Sequence, residues 1–301
     1  MLKIGFIGAG VVGTALATGL SRKGCEVVAV YSRSLSSAEK LAKSLPHCKV
    51  CRSAQEAADA AELTFITTPD DVIATVAAEV RWRPGKSVVH CSGAHSLDIL
   101  APAEEDGASV GSFHPLQTFA SVAQAIKNLP GSTFALEAGE PLRSTLKELA
   151  SLLQGDWVEL QPGDKVLYHT AAVFACNYMV TLVKLATDLW QNLGIPQDQA
   201  VKALLPLLHG TINNIGNVGL PGCLTGPISR GDSGTISKHL AALESRNPEL
   251  LAVYKELGLN TIPIALDKGR IDEPKAEELR KLLNHTEPVG ALGKTGEEVR
   301  K

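Results

Sequence analysis

The sequence predicts an α/β fold in which an N-terminal doubly wound parallel sheet is followed by an all-α domain. Up to about residue 160, short apolar segments rich in β-branched residues alternate with helical segments, which is the pattern of parallel strands joined by crossover helices. After Gln161-Pro162-Gly163 the strand pattern ends and long helical segments follow. We therefore predict a sheet domain over residues 1–161 and a helical domain over residues 162–301.

The predicted elements follow from apolar runs and from the turn residues between them. A first strand begins at Lys3, and the later strands cover residues 25–31, 49–52, 63–67, 86–91, 108–113, 133–137 and 157–160. Helices are predicted at residues 11–23, 54–60, 70–80 and 141–153. In the second domain, residues 164–193 predict one long helix that Gly194 ends, and Pro196 opens the next helix. Residues 286–301, rich in glycine and charge, are predicted to be disordered.

Three glycines directly after the first strand form the strongest local signal. Gly8 allows a tight turn from strand to helix, Gly10 lets a diphosphate approach bare backbone, and Gly13 lets helix and strand pack closely. The helix that starts at Val11 and Val12 offers free N–H groups and the positive end of its dipole. This spacing, between a strand and a helix, predicts a dinucleotide site.

The end of the second predicted strand indicates which dinucleotide binds. A site for NAD usually has a carboxylate there, which accepts a hydrogen bond from the ribose 2′-hydroxyl. This chain has Ser32, Arg33 and Ser34 instead, and a guanidinium with two hydroxyls suits a 2′-phosphate. We therefore expect NADP(H) as the cofactor, with a solvated loop arginine as the alternative interpretation of Arg33.

Composition excludes several classes of partner. The net charge of −3 over 301 residues provides no basic surface for nucleic acid or for an anionic membrane. No apolar run approaches the ~20 residues of a membrane-spanning helix. Six cysteines without a framework of regular spacing favour a reducing, cytoplasmic compartment. The Cys48-x-x-Cys51 pair lacks a second pair to complete a zinc site, and in a strand the two thiols would face opposite sides.

Polar residues follow three predicted strands, where ligands of an open parallel sheet bind. Thr68 and Pro69 follow the fourth strand, Ser92 and Gly93 the fifth, and His114 the sixth. We expect the first four residues to contact the cofactor and His114 to take part in catalysis. Each also has a structural explanation: Ser92 as a helix cap, for example, and His114 as a brace for the turn before Pro115.

The long predicted helix carries the other candidate catalytic residues. Lys165 and His169 are one turn apart and lie on one face, while Asn177 lies two turns further along. An imidazole that titrates near neutrality suits proton delivery to a carbonyl or imine that receives a hydride. The alternative is an interdomain helix whose polar residues are satisfied locally.

A shaped loop in the second domain contains Arg230-Gly-Asp232. Arg230 is a candidate clamp for a substrate carboxylate, with Asp232 beside it, and Asp232 is also a good N-cap for the helix that follows. No metal site is predicted anywhere in the chain.

Taken together, these motifs resemble the 6-phosphogluconate-dehydrogenase-like superfamily, which includes pyrroline-5-carboxylate reductase and NADP oxidoreductases. The segments Val89–Ala94, Phe113–Gln117, Tyr168–Asn177 and Leu224–Asp232 are similar to one branch, in which a Rossmann domain is joined to a helical domain of unknown function. The resemblance implies an NADP-type cofactor and a homodimer formed through the helical domain, but it does not transfer a substrate.

The sequence therefore predicts an NADP(H)-dependent oxidoreductase that transfers a hydride to or from a small keto, imino or hydroxy acid. His169 is expected to act as acid/base with help from Lys165, and Asn177 to orient the substrate. The alternative from another class is a redox sensor or scaffold that binds NADP(H) without turnover.

Overall fold

A computed structural model describes residues 2–284 of the chain; the predicted disorder of residues 286–301 lies outside the described residues. The chain divides into two compact units, Met1–Tyr178 and Met179–Lys301. The division falls inside the long helix, whereas the predicted domain boundary at residue 162 lies just before that helix begins.

The first unit is built on an eight-stranded sheet. Its order is β3-β2-β1-β4-β5-β6-β7-β8, so the chain reverses direction beside β1, as in a doubly wound fold. The strands are β1 Lys3–Ile7, β2 Glu26–Tyr31, β3 Lys49–Val50, β4 Leu63–Ile66, β5 Ser87–His90, β6 Ser109–Leu116, β7 Thr133–Ala138 and β8 Asp156–Glu159. The predicted fold class is confirmed.

One pairing departs from the parallel pattern, because β7 runs antiparallel to β6. The helix between them, Val122–Asn128, has 7 residues and spans about 10 Å, whereas the 8 residues of β6 span about 26 Å. This short helix does not carry the chain back along the whole of β6, and β7 starts at the same end of the sheet where β6 stops. The strand β8 then pairs parallel with β7.

Helices cover both faces of this sheet and enclose two apolar layers. One layer contains a row of four phenylalanines, in which Phe6 stacks on Phe65, Phe113 stacks on Phe134, and Phe65 meets Phe113 edge to face. Ile7, Ile66 and Val88 belong to the other layer. The helices are α1 Val11–Arg22, α2 Leu35–Lys43, α3 Ala54–Ala60, α4 Asp70–Glu79, α5 Ala101–Glu105, α6 Val122–Asn128 and α7 Leu142–Leu152. Cys48 packs against the first layer and Cys51 belongs to the second, as the strand geometry predicts.

The long helix begins at α8, Asp164–Ala172, continues through one π-helical turn, Val173–Asn177, and ends with α9, Tyr178–Gln191. Among residues 2–284 this is the one helix long and apolar enough to cross a membrane by length and composition, with a mean hydropathy of 1.5. The prediction that no apolar run approaches the ~20 residues of a membrane-spanning helix is therefore wrong for this segment, because its few polar residues leave the mean hydropathy high. A single helix of this kind is weak evidence for a membrane span.

The second unit is helical, as predicted. After α9 it contains α10 Gln197–Val218, α11 Ser233–Arg246, α12 Leu251–Asp267 and α13 Glu273–Asn284. Its own core includes Ile236, Ile262 and Leu279, which are fully buried. The backbone N–H groups at the start of α11 are capped by Asp232, whose carboxylate accepts from Thr235 N at 2.9 Å.

Candidate functional site

The glycine turn between β1 and α1 has the geometry that the sequence predicts. Gly8 has φ +112°, and a Cβ there would lie 2.7 Å from the Thr67 backbone. A Cβ on Gly13 would clash with Thr67 Oγ1, so the third glycine is needed for close packing. Around Gly10, by contrast, nothing lies within 4 Å of a built Cβ, which leaves its backbone open. Gly10 caps α1 without a side chain, so the first N–H groups of α1, from Val11 and Val12 onward, stay available.

A cavity of about 900 Å³ opens over this turn. Its lining brings together the following predicted cofactor residues: Gly8, Gly10, Ser32, Arg33, Ser34, Thr68 and Pro69. Thr68 Oγ1 is buried and has no hydrogen-bond partner among the described residues. Open backbone, free helix N–H groups and an orphaned hydroxyl fit the diphosphate of a dinucleotide.

The far end of the cavity carries the predicted basic and hydroxyl groups. Arg33 is exposed at its wall. Ser34 is the N-cap of α2, and its hydroxyl oxygen accepts from Ser37 N at 3.3 Å and from Ser37 Oγ at 2.9 Å. Arg33 and the predicted Ser32 also line this end of the cavity, together with Ser37, a lining residue that the sequence did not single out.

Ser92, predicted to contact the cofactor, uses its side chain to shape its own loop. Its hydroxyl donates to Asp70 Oδ2 at 2.7 Å and accepts from Ala94 N and His95 N, both at 3.2 Å. Ser92 is buried and does not line the 900 Å³ cavity. The hydroxyl of Ser92 thus stabilises the conformation of the loop after β5.

Lys165 is completely buried, and its Nζ donates to the Ser92 carbonyl at 2.9 Å. Burial lowers the pKa of Lys165 to about 8, while the charges of Glu137, Cys91 and Asp70 act in the opposite direction. The buried ammonium of Lys165 therefore fixes the loop of Ser92, and its charge lowers the pKa of His90 and of His114.

Two imidazoles converge on Gly93. A Cβ at this position would lie 2.8 Å from both His114 Nε2 and His169 Nδ1. His169 Nδ1 is buried without a hydrogen-bond partner among the described residues. His114 Nδ1 is hydrogen-bonded to the Tyr168 hydroxyl at 2.8 Å. The two predicted catalytic histidines therefore lie side by side, and Gly93 makes room for them.

The electrostatics keep His114 neutral. Burial, followed by the charge of Lys165 and the neighbouring His169, lowers the pKa of His114 to about 4. Burial raises the pKa of the Tyr168 phenol to about 12, so that the phenol keeps its proton at neutral pH. Tyr168 is a polar partner in this cluster to which the sequence assigned no role; it stands next to His169, on the neighbouring face of the same helix.

The remaining predicted residues are Asn177 and Arg230. Asn177 is exposed and ends the π-helical turn, so its angle to His169 differs from that of a regular α-helix. Arg230, in the second unit, has a side chain 64% exposed, with its guanidinium 4.0 Å from Asp232 Oδ2. Among residues 2–284 there is no group of three or more His, Cys, Asp or Glu residues placed to hold a metal ion.

Two family models match consecutive parts of the chain. A Rossmann-like domain matches residues 1–115, and DUF2520, a domain of unknown function, matches residues 132–261. This pair of domains, in this order, confirms the resemblance drawn from the motifs. No curated protein matches the chain significantly.

Solved structures share the fold over most of the chain. A candidate NADP oxidoreductase from Bacteroides fragilis is 28% identical, with a TM-score of 0.68 over 87% of this chain and 98% of that protein. A protein from Thermotoga maritima is 26% identical, with a TM-score of 0.74 over 89% and 100%. Pyrroline carboxylate reductase from Plasmodium falciparum, solved with NADP bound, is 16% identical and shares the fold at a TM-score of 0.57, covering 93% and 98%.

The glycine turn allows a matched pair of substitutions. Gly8→Ala should lower the free energy of unfolding by about 1–3 kcal/mol, because an alanine is strained at this positive φ and meets the Thr67 backbone. Gly10→Ala should leave the unfolding free energy within about 0.5 kcal/mol of wild type. It should nevertheless weaken dinucleotide binding at least about tenfold, because its methyl group fills the open approach. Urea denaturation measures the unfolding free energy of the two variants, and titration with the dinucleotide measures their affinity. Equal losses of stability in the two variants would contradict the different roles assigned to Gly8 and Gly10.

The lowered histidine pKa predicts how stability depends on pH. Between pH about 6.5 and about 4, the unfolded chain binds a proton at His114 that the folded chain does not. The unfolding free energy should therefore fall as the pH is lowered through this window, by about 2 kcal/mol for this residue at pH 5.

Urea denaturation of His114→Asn at pH 7 and pH 5 checks this expectation, and the variant should lose about 2 kcal/mol less stability than wild type between the two. His47→Asn is the matched control, because His47 is exposed and an asparagine tolerates its positive φ. A pH dependence of His114→Asn identical to that of wild type would show that His114 titrates normally in the fold.

Proposed function

We propose that this chain, which joins a Rossmann-like domain to a DUF2520 domain, is an NADP(H)-dependent oxidoreductase acting on a small keto, imino or hydroxy acid. The main support for this proposal is that an open dinucleotide turn and a cluster of proton-carrying side chains lie at the ends of strands of the same sheet. The open glycine turn follows β1, and the His114–Tyr168–His169 cluster gathers around the loop that follows β5. Both sites lie at the carboxyl ends of strands, so the glycine turn would hold the diphosphate of the cofactor and the residues of the cluster would face its reactive end.

The preference for NADP(H) rests on Arg33 and on the absence of an acidic residue at the end of β2, where Tyr31, Ser32 and Arg33 line the cavity. An exposed guanidinium binds a phosphate through two parallel hydrogen bonds. The name of the Bacteroides fragilis relative, an NADP oxidoreductase, agrees with this assignment.

The bound cofactor supplies or accepts the hydride, and the chain's own residues handle the proton. His169 has a buried ring nitrogen without a hydrogen-bond partner among residues 2–284, which suits exchange of a proton with the substrate oxygen or nitrogen. Lys165 assists by fixing the loop of Ser92 and Gly93, against which both imidazoles pack. Asn177 would orient the substrate. Arg230, whose guanidinium is largely exposed, would hold a substrate carboxylate in this chain or in a second copy.

A homodimer through the helical domain is part of the proposal. Large apolar side chains stand exposed along the long helix and α10, where an isolated soluble chain would expose polar ones. Examples with two thirds or more of the residue exposed are Leu167, Phe174, Val180 and Leu207. Helix-to-helix packing between two copies would bury this surface and account for the high hydropathy of the long helix.

Arg33→Ala tests the cofactor assignment. The variant should lose about 10- to 100-fold in affinity for NADPH, the value of one charge-assisted contact to the 2′-phosphate, while the affinity for NADH stays the same. Isothermal titration with both coenzymes measures the ratio. Arg22→Ala, which removes an exposed arginine at the end of α1, is the control. If Arg33→Ala left the ratio of the two affinities unchanged, the assignment of NADP(H) to this arginine would be wrong.

His169→Ala tests the mechanism. With a keto or imino acid found in a screen for NADPH oxidation, the variant should lose at least about 10²-fold in kcat, because proton transfer to the substrate loses its donor. NADPH affinity should be retained. The control is Thr170→Ala, which changes the next, exposed residue of the same helix. Full turnover by His169→Ala would reject the mechanism, and NADPH binding without turnover of any acid by wild type would favour the redox-sensor alternative.

A further inference from the structure

Three polar residues occupy adjacent positions on three neighbouring strands. His90 on β5 pairs with Ser112 on β6, and Ser112 pairs with Glu137 on β7. Residues paired in register project from the same face of a sheet. His90, Ser112 and Glu137, which we call the buried polar row, therefore lie side by side across about 10 Å of sheet. On the other side of His90 the same row continues with the apolar Ile66 and Ile7.

Every member of the buried polar row is buried and carries an atom without a hydrogen-bond partner in the described part of the chain, residues 2–284. His90 and Ser112 are fully buried, and Glu137 is 6% exposed. The unpartnered atoms are His90 Nε2, Ser112 Oγ and Glu137 Oε2. A backbone interaction with Ser96 raises the pKa of His90 against the larger effect of burial, although no contact to Nε2 within residues 2–284 meets the distance and angle of a hydrogen bond.

Such a concentration of unsatisfied groups is costly in a fold. Each buried polar atom that loses water without gaining a partner costs about 1–3 kcal/mol. Two donors and one acceptor in a row match the hydrogen-bonding needs of water, which typically binds about three such groups in a protein interior. His90 Nδ1 accepts from Ser92 N at 3.2 Å, so the neutral ring carries its proton on Nε2 and offers it to the row.

The row joins a second cavity to the candidate site. At one end, Glu137 lines a cavity of about 230 Å³ whose wall also includes the half-buried Arg143 and the exposed Glu159. At the other end, His90 precedes the loop of Ser92, whose carbonyl accepts the hydrogen bond from Lys165. The Lys165 charge acts on both ends, because it lowers the pKa of His90 and that of Glu137.

Resting on the proposed oxidoreductase function, we propose that the buried polar row binds water and conducts protons from the 230 Å³ cavity, through Glu137, to Lys165. A reduction consumes one hydride from the cofactor and one proton, so the site must recover one proton in each turnover. Glu137 suits the outer position because it touches both the cavity and the row.

The transfer balances without any redox change. The Glu137 carboxylate takes a proton from hydronium in the cavity, which is left as water, and the resulting acid gives a proton to water in the row. Lys165 is a neutral amine only after its ammonium has given a proton toward the substrate, and the protonated water in the row then restores the ammonium. Glu137 returns to the carboxylate, and one net proton has moved inward. Burial raises the pKa of Glu137 and lowers that of Lys165 to about 8, which brings the two groups closer in proton affinity. Lys165 in turn is electrostatically coupled to His114 in the site.

A crystal structure at high resolution and an infrared titration test the row without any substrate. We expect ordered water hydrogen-bonded to Ser112 Oγ and to His90 Nε2 or Glu137 Oε2. A row without water, its side chains bonded to one another, overturns the proposal. In the infrared, Glu137→Gln identifies the carboxyl band of Glu137, and Lys165→Met should raise the pH at which this band titrates. An unchanged midpoint in Lys165→Met also overturns it.

Measurements of turnover test whether Glu137 carries protons during the reaction. Glu137→Gln keeps the shape of the side chain but cannot carry a proton, so kcat should fall at least about tenfold. KM and NADPH affinity should stay the same. Formate should restore turnover to Glu137→Ala by replacing the lost carboxylate. Glu159→Gln, which alters the same cavity on its exposed side, is the control and should turn over like wild type.

Wild-type kcat in Glu137→Gln, or failure of formate in a folded Glu137→Ala protein, would show that protons take another path. The two hypotheses also fail in different ways. If NADPH binds but no acid is reduced, the proposed function fails, while the crystal structure and the infrared titration still decide whether the row holds water and couples to Lys165.

Discussion

The hydrogen bond from the buried Lys165 ammonium to the Ser92 carbonyl is the interaction on which the candidate site depends. It ties the start of the long helix to the loop after β5, and it does so at 2.9 Å with a side chain that has no exposed surface. A buried charge is costly unless it is compensated, and removing one partner of a buried charged contact typically costs about 3–5 kcal/mol. The surroundings supply compensation through the negative charges of Glu137 and Asp70.

The same buried charge explains the state of the groups around it. A positive charge close to an imidazole opposes its protonation, and both His90 and His114 are held neutral by burial together with Lys165. A neutral imidazole both donates and accepts hydrogen bonds, and His114 uses one ring nitrogen to pair with Tyr168. The cluster can therefore hold a proton for a substrate without adding a second positive charge beside Lys165.

Much of the fold could be predicted from the sequence because its signals are local. The apolar run before Gly8 and the small residues of the turn fix a strand, a turn and a helix within about a dozen residues, and the structure has all three. The antiparallel β7 could not be predicted in this way, since it depends on how far the short helix Val122–Asn128 carries the chain back. The π-helical turn before Tyr178 is likewise invisible in the residue pattern, yet it sets the direction of Asn177.

The site was predictable in its residue types but not in its contacts. His114 and His169 were identified from their positions, and the structure places both against Gly93. Ser92 was predicted to contact the cofactor, with a capping role as the alternative, and its hydroxyl is bonded to Asp70 and to its own loop, because a serine beside a turn satisfies the nearest N–H groups first. Glu137 was missed altogether: it stands in an otherwise apolar strand, and only the pairing across the sheet brings it next to Ser112 and His90.

Five paired positions lie in one line across the sheet, and they are apolar on β1 and β4 but polar on β5, β6 and β7. Ile7 and Ile66 continue the apolar core, and from His90 onward the same positions become polar and buried. An apolar side chain at any of these three positions would pack without leaving an unsatisfied group, so stability alone does not account for them. The buried polar row begins at His90, which ends β5 directly before the loop of Ser92, and the carbonyl of Ser92 accepts the hydrogen bond from Lys165. The unsatisfied polar atoms are costly to bury, and they are electrostatically coupled to the buried ammonium of Lys165. For this reason we assign the buried polar row a function in proton transfer.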